Sequence, residues 1–302
     1  MSSLALLREL ALYGPGTPCA RRWTLGEARG YCRSLAERHY ENFVVGSLLL
    51  PPALRPHWMT VYAWCRWADD LADEISDPAE SERLLDWWDD ELGASYAEQA
   101  RHPVSLALAA TNRRFQIPAQ PYRDLLSAFR QDQRVHRYAT PDEVVDYCRR
   151  SANPVGRIVL HLAESHSDEA ARLSDSICTG LQLANFCQDV ARDFQAGRIY
   201  LPQETWAECG ATERDFAAGT ATEPLRHALR IEVERAESHF AAGESLSGEV
   251  VPWLGKEVAL IVAGGRAILE AIRDAGYDVW TSRPKVSKWK QAQLLWNLFV
   301  GP

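Results

Sequence analysis

The chain has 302 residues, of which 46% are hydrophobic and 25% are charged, and its formal net charge is −8. This composition excludes a disordered or fibrous protein, and the acidic balance argues against binding to nucleic acid, whose phosphate backbone needs basic side chains. The seven cysteines include no C-x-x-C pair, so we expect neither a disulfide framework nor a zinc site. No apolar run reaches the roughly 18 residues of a membrane-spanning helix, and we expect a cytoplasmic protein.

Helical periodicity, with prolines between segments or in their first turns, predicts an all-α protein. Alternating strand patterns with Asn-Gly or Asp-Gly turns are absent from the sequence, and no Gly/Pro/Ser linker divides it, so we expect a single domain over residues 1–302. Interior glycines at Gly180 and Gly264–Gly265 weaken the helix prediction around them. In chain order, the expected helices are Thr24–Arg38, Leu54–Glu74, Ala79–His102, Pro103–Phe115, Pro121–Arg130, Pro141–Arg149, Pro154–Ser165, Ala170–Gln195, Glu204–Glu208, Pro224–Glu244, Val258–Asp274 and Ser287–Leu298.

The first candidate site is an acidic stretch at the end of the second expected helix. Asp69 and Asp73 are four residues apart and so share a helix face, with Arg66 one turn upstream and Tyr62 seven residues before Asp69. Two carboxylates at this spacing repel each other, and Mg²⁺ would relieve the repulsion because it prefers carboxylate and phosphate oxygens. The alternative is an acidic, solvent-exposed helix end.

A second acidic stretch follows more than a hundred residues later. Asn185, Asp189 and Asp193 fall at positions i, i+4 and i+8, so they form one stripe that drifts by only about 40° per step. Gln182 extends the stripe upstream, and apolar residues lie between its members. Because a buried carboxylate is costly unless it is paired or metal-bound, the pattern predicts metal ligands. An exposed face paired with a neighbouring arginine is the alternative.

Two such stripes in one chain suit the binding of two or three Mg²⁺ ions around a diphosphate. The ions would neutralise the diphosphate and convert it into a leaving group. Arg198 follows the second stripe, and its planar guanidinium can bind phosphate through two parallel hydrogen bonds. The residues by themselves therefore predict an enzyme that acts on a diphosphate.

With these motifs the sequence resembles the squalene/phytoene synthase family of head-to-head prenyl transferases over nearly the whole chain. The pairing of D-x-x-x-D with N-x-x-x-D-x-x-x-D is the specific part, since head-to-tail prenyl transferases use two D-D-x-x-D motifs. The resemblance implies an isoprenoid-synthase helical bundle with a central cavity. Besides the two acidic motifs, it rests on His39-Tyr40-Glu41-Asn42-Phe43, Gly197-Arg198-Ile199-Tyr200-Leu201-Pro202 and Gly276-Tyr277-Asp278-Val279.

Within the family, the sequence is most similar to the bacterial hydroxysqualene synthase branch of hopanoid biosynthesis. This resemblance implies a Mg²⁺-dependent lyase that ionises presqualene diphosphate, rearranges the cation and captures water, giving hydroxysqualene and diphosphate without NADPH. It also implies hopanoid-pathway enzymes as partners. Other branches stay open, namely squalene, dehydrosqualene, phytoene and presqualene diphosphate synthases, as does an inactive homologue that binds partners. The similarity to this branch is carried by residues 39–43, 64–74, 128–135, 147–156 and 185–194.

The resemblance also assigns roles to individual residues, in three groups. Mg²⁺ binding falls to Asp69, Asp73, Asn185, Asp189 and Asp193. Binding of the substrate diphosphate falls to His39, Arg66 and Arg198, with which we group Gln182 because it extends the second stripe. Catalysis at the reacting carbons or the leaving group falls to Tyr62, Tyr147 and Asp73.

The sequence departs from the wider family at Glu41 and Gln188, where many members carry a basic residue, and at Gly265, where many carry tyrosine. The first two changes remove positive charge near the diphosphate, which suits a substrate with one diphosphate. The basic and aromatic run 285–299 is expected either to rest peripherally on the inner membrane or to cap the domain. Four aromatic residues are expected either to line a carbocation pocket or to pack in the core: Phe43, Phe129, Tyr147 and Phe186.

Overall fold

The structure is a computed structural model that describes residues 3–17, 22–38 and 49–287. Across these ranges the chain is helical, with one isolated parallel bridge between Arg137 and Ile199 and no sheet, which confirms the all-α prediction. The chain divides into two compact units. The first contains the described residues up to Arg134 together with Ile158–Glu164, and the second contains Val135–Arg157 and the described residues from Ser165 onward. The single domain expected over residues 1–302 stays a prediction.

The helices of the first unit begin where proline or a capping side chain favours a helix start. Proline occupies the first turn of four of them, where its missing N–H costs no hydrogen bond. The Asp77 carboxylate accepts a hydrogen bond from the Ala79 backbone at the start of the fourth helix. The helices are α1 (Ser3–Tyr13), α2 (Leu25–Arg38), α3 (Arg55–Asp73), α4 (Pro78–Tyr96), α5 (Pro103–Phe115) and α6 (Gln120–Asp132), and α8 (Asn153–Leu162) begins in the second unit and ends in the first.

The core of the first unit is built around tryptophan side chains. Trp64, Trp67 and Trp88 are fully buried, and the ring of Trp88 stacks on those of the other two at centroid distances of 6.2 and 5.3 Å. His102 lies edge-on to Trp67 and Trp88 at 4.9 Å from each ring centroid. Burial lowers the pKa of His102 to about 3, so this histidine is a neutral core residue.

The second unit is built on one long helix. That helix is α9 (Asp168–Gln195), and the Ser167 hydroxyl caps it by accepting a hydrogen bond from the Ala170 backbone. The helices α12 and α14 pack against α9 and against each other. The remaining helices are α7 (Pro141–Ser151), α10 (Gln203–Glu208), α11 (Glu213–Phe216), α12 (Glu223–Gly243), α13 (Leu246–Glu249) and α14 (Pro252–Asp274).

Two interior glycines make room for a single aromatic ring. The Phe240 side chain of α12 is fully buried. A Cβ atom at Gly180 of α9 would lie 3.1 Å from the Phe240 ring, and one at Gly265 of α14 would lie 2.5 Å from it. The packing of α9, α12 and α14 around Phe240 therefore requires that these two positions have no Cβ atom. Both helices continue through the glycines, although glycine weakens the helix prediction.

The structure differs from the expected helices at several places: α4 ends at Tyr96 instead of His102, and the short helices α11 and α13 were not expected. The helix α1 was not expected, because leucines lie on both its buried and its exposed sides and obscure the amphipathic pattern. The helix α14 begins at Pro252 instead of Val258, and the expected helix Ser287–Leu298 lies almost entirely outside the described residues. Among the described helices, none is both long and apolar enough to cross a membrane.

Candidate functional site

The first acidic motif lies at the C-terminal end of α3. Asp69 is half-buried and close enough to the exposed Asp73 for the two charges to repel each other. The Arg66 guanidinium lies 3.0 Å from Asp69 Oδ2 and 2.5 Å from Asp70 Oδ1, so two carboxylates hold one arginine. The structure therefore brings Asp69, Asp73 and Arg66 together, as their helical spacing predicts.

The charge balance of this motif favours a cation. Burial raises the pKa of Asp69 to about 6, with repulsion from Asp73 acting in the same direction and Arg66 opposing it. A divalent ion would relieve this repulsion and displace the proton, because metal ligands bind in their deprotonated form. The two carboxylates thus fit a hard cation such as Mg²⁺.

Asp70 is a residue of the motif that the sequence analysis did not single out. Its carboxyl group is fully buried, and its Oδ1 accepts a hydrogen bond from Arg66. The pairing of Asp70 with Arg66 could have been predicted from the sequence, because Asp70 lies four residues after Arg66, the spacing at which opposite charges pair on a helix. Asp70 therefore fixes the position of the Arg66 guanidinium.

Tyr62 lies on α3, one helical turn before Arg66, and is half-buried. Burial raises the pKa of its hydroxyl group, so Tyr62 is protonated at neutral pH and can donate a hydrogen bond. His39, which was assigned to the diphosphate, lies outside the described residues, as do Glu41 and Phe43. Phe129 is partly buried and packs against the core of the first unit.

The second acidic motif lies near the C-terminal end of α9. Asn185 is exposed, whereas Asp189 and Asp193 are half-buried, and the uninterrupted helix carries all three in one stripe. Leu183 and Val190 are buried among the apolar residues between the stripe positions. The structure confirms that this helix has a core-facing side and a separate side with oxygen-bearing side chains.

Asp189 is already paired with an arginine. Arg283 Nε lies 2.5 Å from Asp189 Oδ1, and Arg283 Nη2 lies 2.9 Å from Asp189 Oδ2. The same Nη2 donates to Gln188 Oε1 at 2.7 Å. Arg283 was not predicted as a site residue, because 94 residues separate it from Asp189 and its surroundings in the sequence form no motif.

The two aspartates of this motif differ in charge state. Burial alone would raise the pKa of Asp189, but the hydrogen bonds and charge of Arg283 outweigh it and hold the pKa below its usual value. Burial raises the pKa of Asp193 to about 7, and repulsion from Asp189 adds to the shift. Near neutral pH, Asp189 is ionised while Asp193 is shared between its two forms. The neighbouring arginines offset the repulsion between these two carboxyl groups only in part, and a divalent cation would remove the rest.

Two other predicted residues lie next to this stripe. The charge of Arg198 lowers the pKa of Asp193 in part, and the Arg198 backbone N–H donates to the Asp193 carbonyl at 2.7 Å. Gly197 adopts φ 82° between α9 and Arg198, a backbone conformation that favours glycine and turns the chain back. Gln182 is half-buried on α9, one turn before Asn185.

Tyr147 belongs to a stack of four buried aromatic rings. Phe186 and Tyr200 are parallel, with centroids 4.0 Å apart, and Tyr147 lies 6.1 Å from Phe186 and 5.7 Å from Tyr200. Tyr138 completes the stack at 5.7 Å from Tyr200. Phe186 lies on the helix of the second acidic motif, so the stack joins that motif to α7. Tyr138 and Tyr200 were not predicted as site residues.

Neither motif forms a closed metal cage. Within the part of the chain that the structure describes, no group of three or more His, Cys, Asp or Glu side chains could hold a metal ion. This donor set fits Mg²⁺, which usually binds one or two carboxylates and completes its octahedron with water and substrate phosphate. The residues present therefore suit an ion that binds together with a diphosphate.

The chain is similar to proteins of known type over most of its length. The sequence model of the squalene/phytoene synthase family matches residues 36–290, which include both acidic motifs. A phytoene synthase from Arthrospira platensis is 31% identical over 293 residues, covering 92% of this chain and 95% of the relative. A 15-cis-phytoene synthase from Synechocystis is 30% identical over 291 residues, covering 92% of this chain and 79% of the relative.

Solved structures agree with these matches. Squalene synthase HpnC from Alicyclobacillus acidocaldarius is 44% identical, with a TM-score of 0.81 over 84% of this chain and 95% of that chain. A dehydrosqualene synthase in complex with a ligand has the same fold, with a TM-score of 0.81 over 91% of this chain and 96% of that chain at 24% identity. These similarities confirm the predicted isoprenoid-synthase helical bundle.

Proposed function

Because the chain belongs to the squalene/phytoene synthase family, we propose that it is the member that ionises presqualene diphosphate and adds water, forming hydroxysqualene and diphosphate. Members of this family process isoprenoid diphosphates, so the chain is an isoprenoid diphosphate-processing enzyme. The observation that carries the C30 part of the proposal is the 44% identity to a squalene synthase named HpnC, compared with 31% to a phytoene synthase. Capture of water rests on the resemblance of residues 39–43, 64–74, 128–135, 147–156 and 185–194 to the hydroxysqualene synthase branch. This difference favours a C30 product over a C40 product.

Both acidic motifs take part in the proposed reaction. Asp69, Asp73, Asn185, Asp189 and Asp193 would hold two or three Mg²⁺ ions, whose positive charge would make the diphosphate a leaving group. Asp69 and Asp193 bind in their deprotonated forms, although burial favours their protonated forms in the metal-free chain. The raised pKa values of these two carboxyl groups support the assignment.

Cationic and neutral donors bind the diphosphate oxygens in the proposal. Arg66 is oriented by Asp69 and Asp70, and Arg198 lies beside Asp193. Their guanidinium groups donate to phosphate oxygens whose charge grows as the carbon–oxygen bond breaks. His39 and Gln182 are assigned to the same oxygens.

The reaction balances without a reductant. The carbon–oxygen bond breaks heterolytically, its electron pair leaves with the diphosphate, and a cyclopropylcarbinyl cation rearranges. The oxygen of water then supplies the electron pair of the new bond, and the proton it loses passes to the released diphosphate. The resemblance assigns Tyr62 and Tyr147 to these steps, and their ring faces could attract the positive charge. No hydride is transferred, so NADPH is not needed.

Incubation of the purified chain with presqualene diphosphate and Mg²⁺, followed by mass spectrometry of the extract, tests the proposal. We expect hydroxysqualene without NADPH, and none in the presence of a chelator or from the double variant Asp69→Ala, Asp189→Ala. Glu169→Ala is the matched control, since Glu169 is an exposed carboxylate in the first turn of the same helix as Asp189. A hydrocarbon product, or full activity in the double variant, would contradict the proposal.

A second candidate function is the head-to-head condensation of two prenyl diphosphates, as a squalene, dehydrosqualene, phytoene or presqualene diphosphate synthase. The observation that favours it is that the relatives with up to 31% identity are named phytoene synthases. Incubation with farnesyl or geranylgeranyl diphosphate distinguishes the two. Conversion of farnesyl diphosphate to a C30 product as fast as turnover of presqualene diphosphate would favour the condensing function.

Peripheral contact with the inner membrane through residues 285–299, and association with hopanoid-pathway enzymes, stay predictions. Most of this segment lies outside the described residues. We expect the intact chain to float with anionic vesicles and a chain truncated at Val286 to remain in the soluble fraction. Equal behaviour of the two chains would contradict the membrane prediction.

A further inference from the structure

Residues 276–287, which we call the strap, follow α14 and are anchored first on α12. The Arg226 guanidinium donates to the Gly276 carbonyl, and its Nη2 lies 3.3 Å from Asp278 Oδ2. Asp278 in turn accepts hydrogen bonds from the backbone N–H groups of Trp280 and Thr281 at 3.2 and 3.0 Å. The first half of the strap is therefore held in place by interactions that do not involve the acidic motif.

The second half of the strap is anchored on α9 by Gln188. The Gln188 amide uses both of its ends, since Oε1 accepts from Arg283 Nη2 and Nε2 donates to the Pro284 carbonyl, each at 2.7 Å. The Gln188 side chain is 4% exposed, so these hydrogen bonds are shielded from water. An arginine in its place could not accept from Arg283 and would repel it.

Gln188 thereby holds Arg283 against both oxygens of Asp189. The two hydrogen bonds, at 2.5 and 2.9 Å, form a bidentate pair. A metal ion that binds Asp189 needs at least one of those oxygens, and the guanidinium already places a positive charge beside both. Arg283 and a divalent cation are therefore alternative partners of one carboxylate.

We infer that Gln188 is a positioning residue that holds Arg283 on Asp189, so that the strap competes with the metal ion at the second acidic motif. This inference rests on the proposed function, which makes Asp189 a metal ligand. Arg283 neutralises Asp189, and metal binding displaces the Arg283 guanidinium from it, which leaves the hydrogen bonds to Gln188 as the remaining anchor of this end of the strap on α9. The Asp278 end remains attached to α12.

Binding of Mn²⁺, which shares the preference of Mg²⁺ for oxygen ligands, measures this competition without substrate. Free Mn²⁺ is followed by electron paramagnetic resonance. We expect Arg283→Gln to bind Mn²⁺ about tenfold more tightly, since a hydrogen bond to a charged group of about 1.4 kcal/mol corresponds to that factor. Gln188→Met keeps the side-chain volume but loses both hydrogen bonds to the strap, and we expect a smaller gain.

Arg192→Gln is the matched control, because Arg192 Nη1 lies 3.5 Å from Asp189 Oδ1 but is 69% exposed and independent of the strap. We expect a gain of less than about threefold, as for an exposed ion pair. In an Asp189→Asn background, Arg283→Gln should no longer change Mn²⁺ affinity, because the shared carboxylate is gone. Equal gains in Arg192→Gln and Arg283→Gln would overturn the role of the strap.

Tryptic cleavage after the exposed Lys285 gives a second readout. Saturating Mn²⁺ should accelerate this cleavage in the unaltered chain, whereas Arg283→Gln should be cleaved rapidly with or without the ion. Unchanged Mn²⁺ affinity in Arg283→Gln, in a preparation that turns over presqualene diphosphate, would overturn the competition and leave the proposed function intact. Absence of metal-dependent turnover in the unaltered chain would overturn the proposed function and this inference with it.

Discussion

At Asp193, the proposed role in metal binding opposes the stability of the folded chain. Burial, together with repulsion from Asp189, raises the pKa of Asp193 to about 7 in the folded chain. The folded state therefore binds this proton more tightly than the unfolded state, whose aspartates titrate near 4. The stability that the proton contributes is fully present at low pH and is lost as the pH rises through about 7.

Asp193→Asn should consequently stabilise the metal-free chain at pH 8, less so at pH 5, and not below about pH 4. We expect a gain on the order of 1 kcal/mol after allowance for solvent screening, which is roughly 2–4 °C in Tm for a unit of this size. Thermal unfolding in the presence of a chelator measures it. Asp175→Asn is the control, because Asp175 is paired with Arg157 at 2.6 and 3.0 Å and its replacement should lower Tm. A lower Tm for Asp193→Asn at pH 8 would contradict the prediction.

At the residue scale, the spacing of residues along one helix predicts some contacts of the acidic motifs but not others. Asp69 with Asp73, and Asp189 with Asp193, could be predicted as interacting pairs because four residues separate the members of each on one helix. Arg283 could not, because its contact with Asp189 depends on how residues after α14 return to α9. Local pattern predicts neighbours within a helix, whereas tertiary packing decides neighbours that are distant in the sequence.

At the scale of elements, the adjacent residues Gly264 and Gly265 allow the effect of steric crowding on stability to be distinguished from the effect of helix propensity. A Cβ atom at Gly265 would lie 2.5 Å from the buried Phe240 ring, whereas one at Gly264 would meet nothing within 4 Å. Both glycines lie inside α14, so replacement by alanine improves helix propensity equally at the two positions. Any difference between the two variants therefore reports on the packing of α12 against α14.

We expect Gly265→Ala to lower the free energy of unfolding by about 1–3 kcal/mol, the usual cost of overpacking a core. Gly264→Ala should be neutral or raise it by up to about 1 kcal/mol. Urea unfolding of the two variants provides the comparison. The smaller side chain of Phe240→Leu should restore part of the loss in the Gly265→Ala background. If the two alanine variants were equally stable, Phe240 would not be the reason for Gly265.

The elements themselves were mostly predictable from periodicity and proline placement, as α3, α5 and α7 show. The start of α14 was not, because Trp253, Leu254 and Gly255 after Pro252 form no amphipathic pattern before Val258. At Gly265, where the resemblance to the family implies tyrosine, the missing side chain leaves space for the Phe240 ring. That replacement could be recognised as a departure in the sequence, but its partner is visible only in the structure.

At the scale of the whole molecule, the proposed function joins acidic motifs that lie in different units of the chain. Ligands that bind only the folded state raise its stability by about 2.7 kcal/mol at a hundred times their Kd. Mg²⁺ together with inorganic diphosphate should therefore raise Tm by roughly 5–10 °C, and more than either does alone.

Asp69→Asn and Asp189→Asn should each abolish most of that increase, because each removes a ligand from one of the two motifs. Differential scanning fluorimetry with and without Mg²⁺ and diphosphate is sufficient, and Glu169→Ala should keep the full increase. If only one of the two aspartates mattered, the diphosphate would be bound by a single motif. The chemistry of each motif is a prediction from local sequence, and joint binding of one diphosphate by the two motifs is the part that this comparison tests.

The stacked indole rings of Trp64, Trp67 and Trp88 give the first unit an optical signature of its own. The ring centroids lie 5.3 and 6.2 Å apart and the ring planes are inclined by 21° and 22°, so the electronic transitions of these indoles couple. The circular dichroism that this coupling produces should vanish when the stack separates. Trp206 of the second unit instead contacts Phe216. Heating while recording circular dichroism therefore distinguishes two outcomes. If the coupled indole signal and the helical signal are lost together, the chain unfolds as one cooperative domain. If the indole signal is lost first, the tryptophan-rich unit unfolds independently.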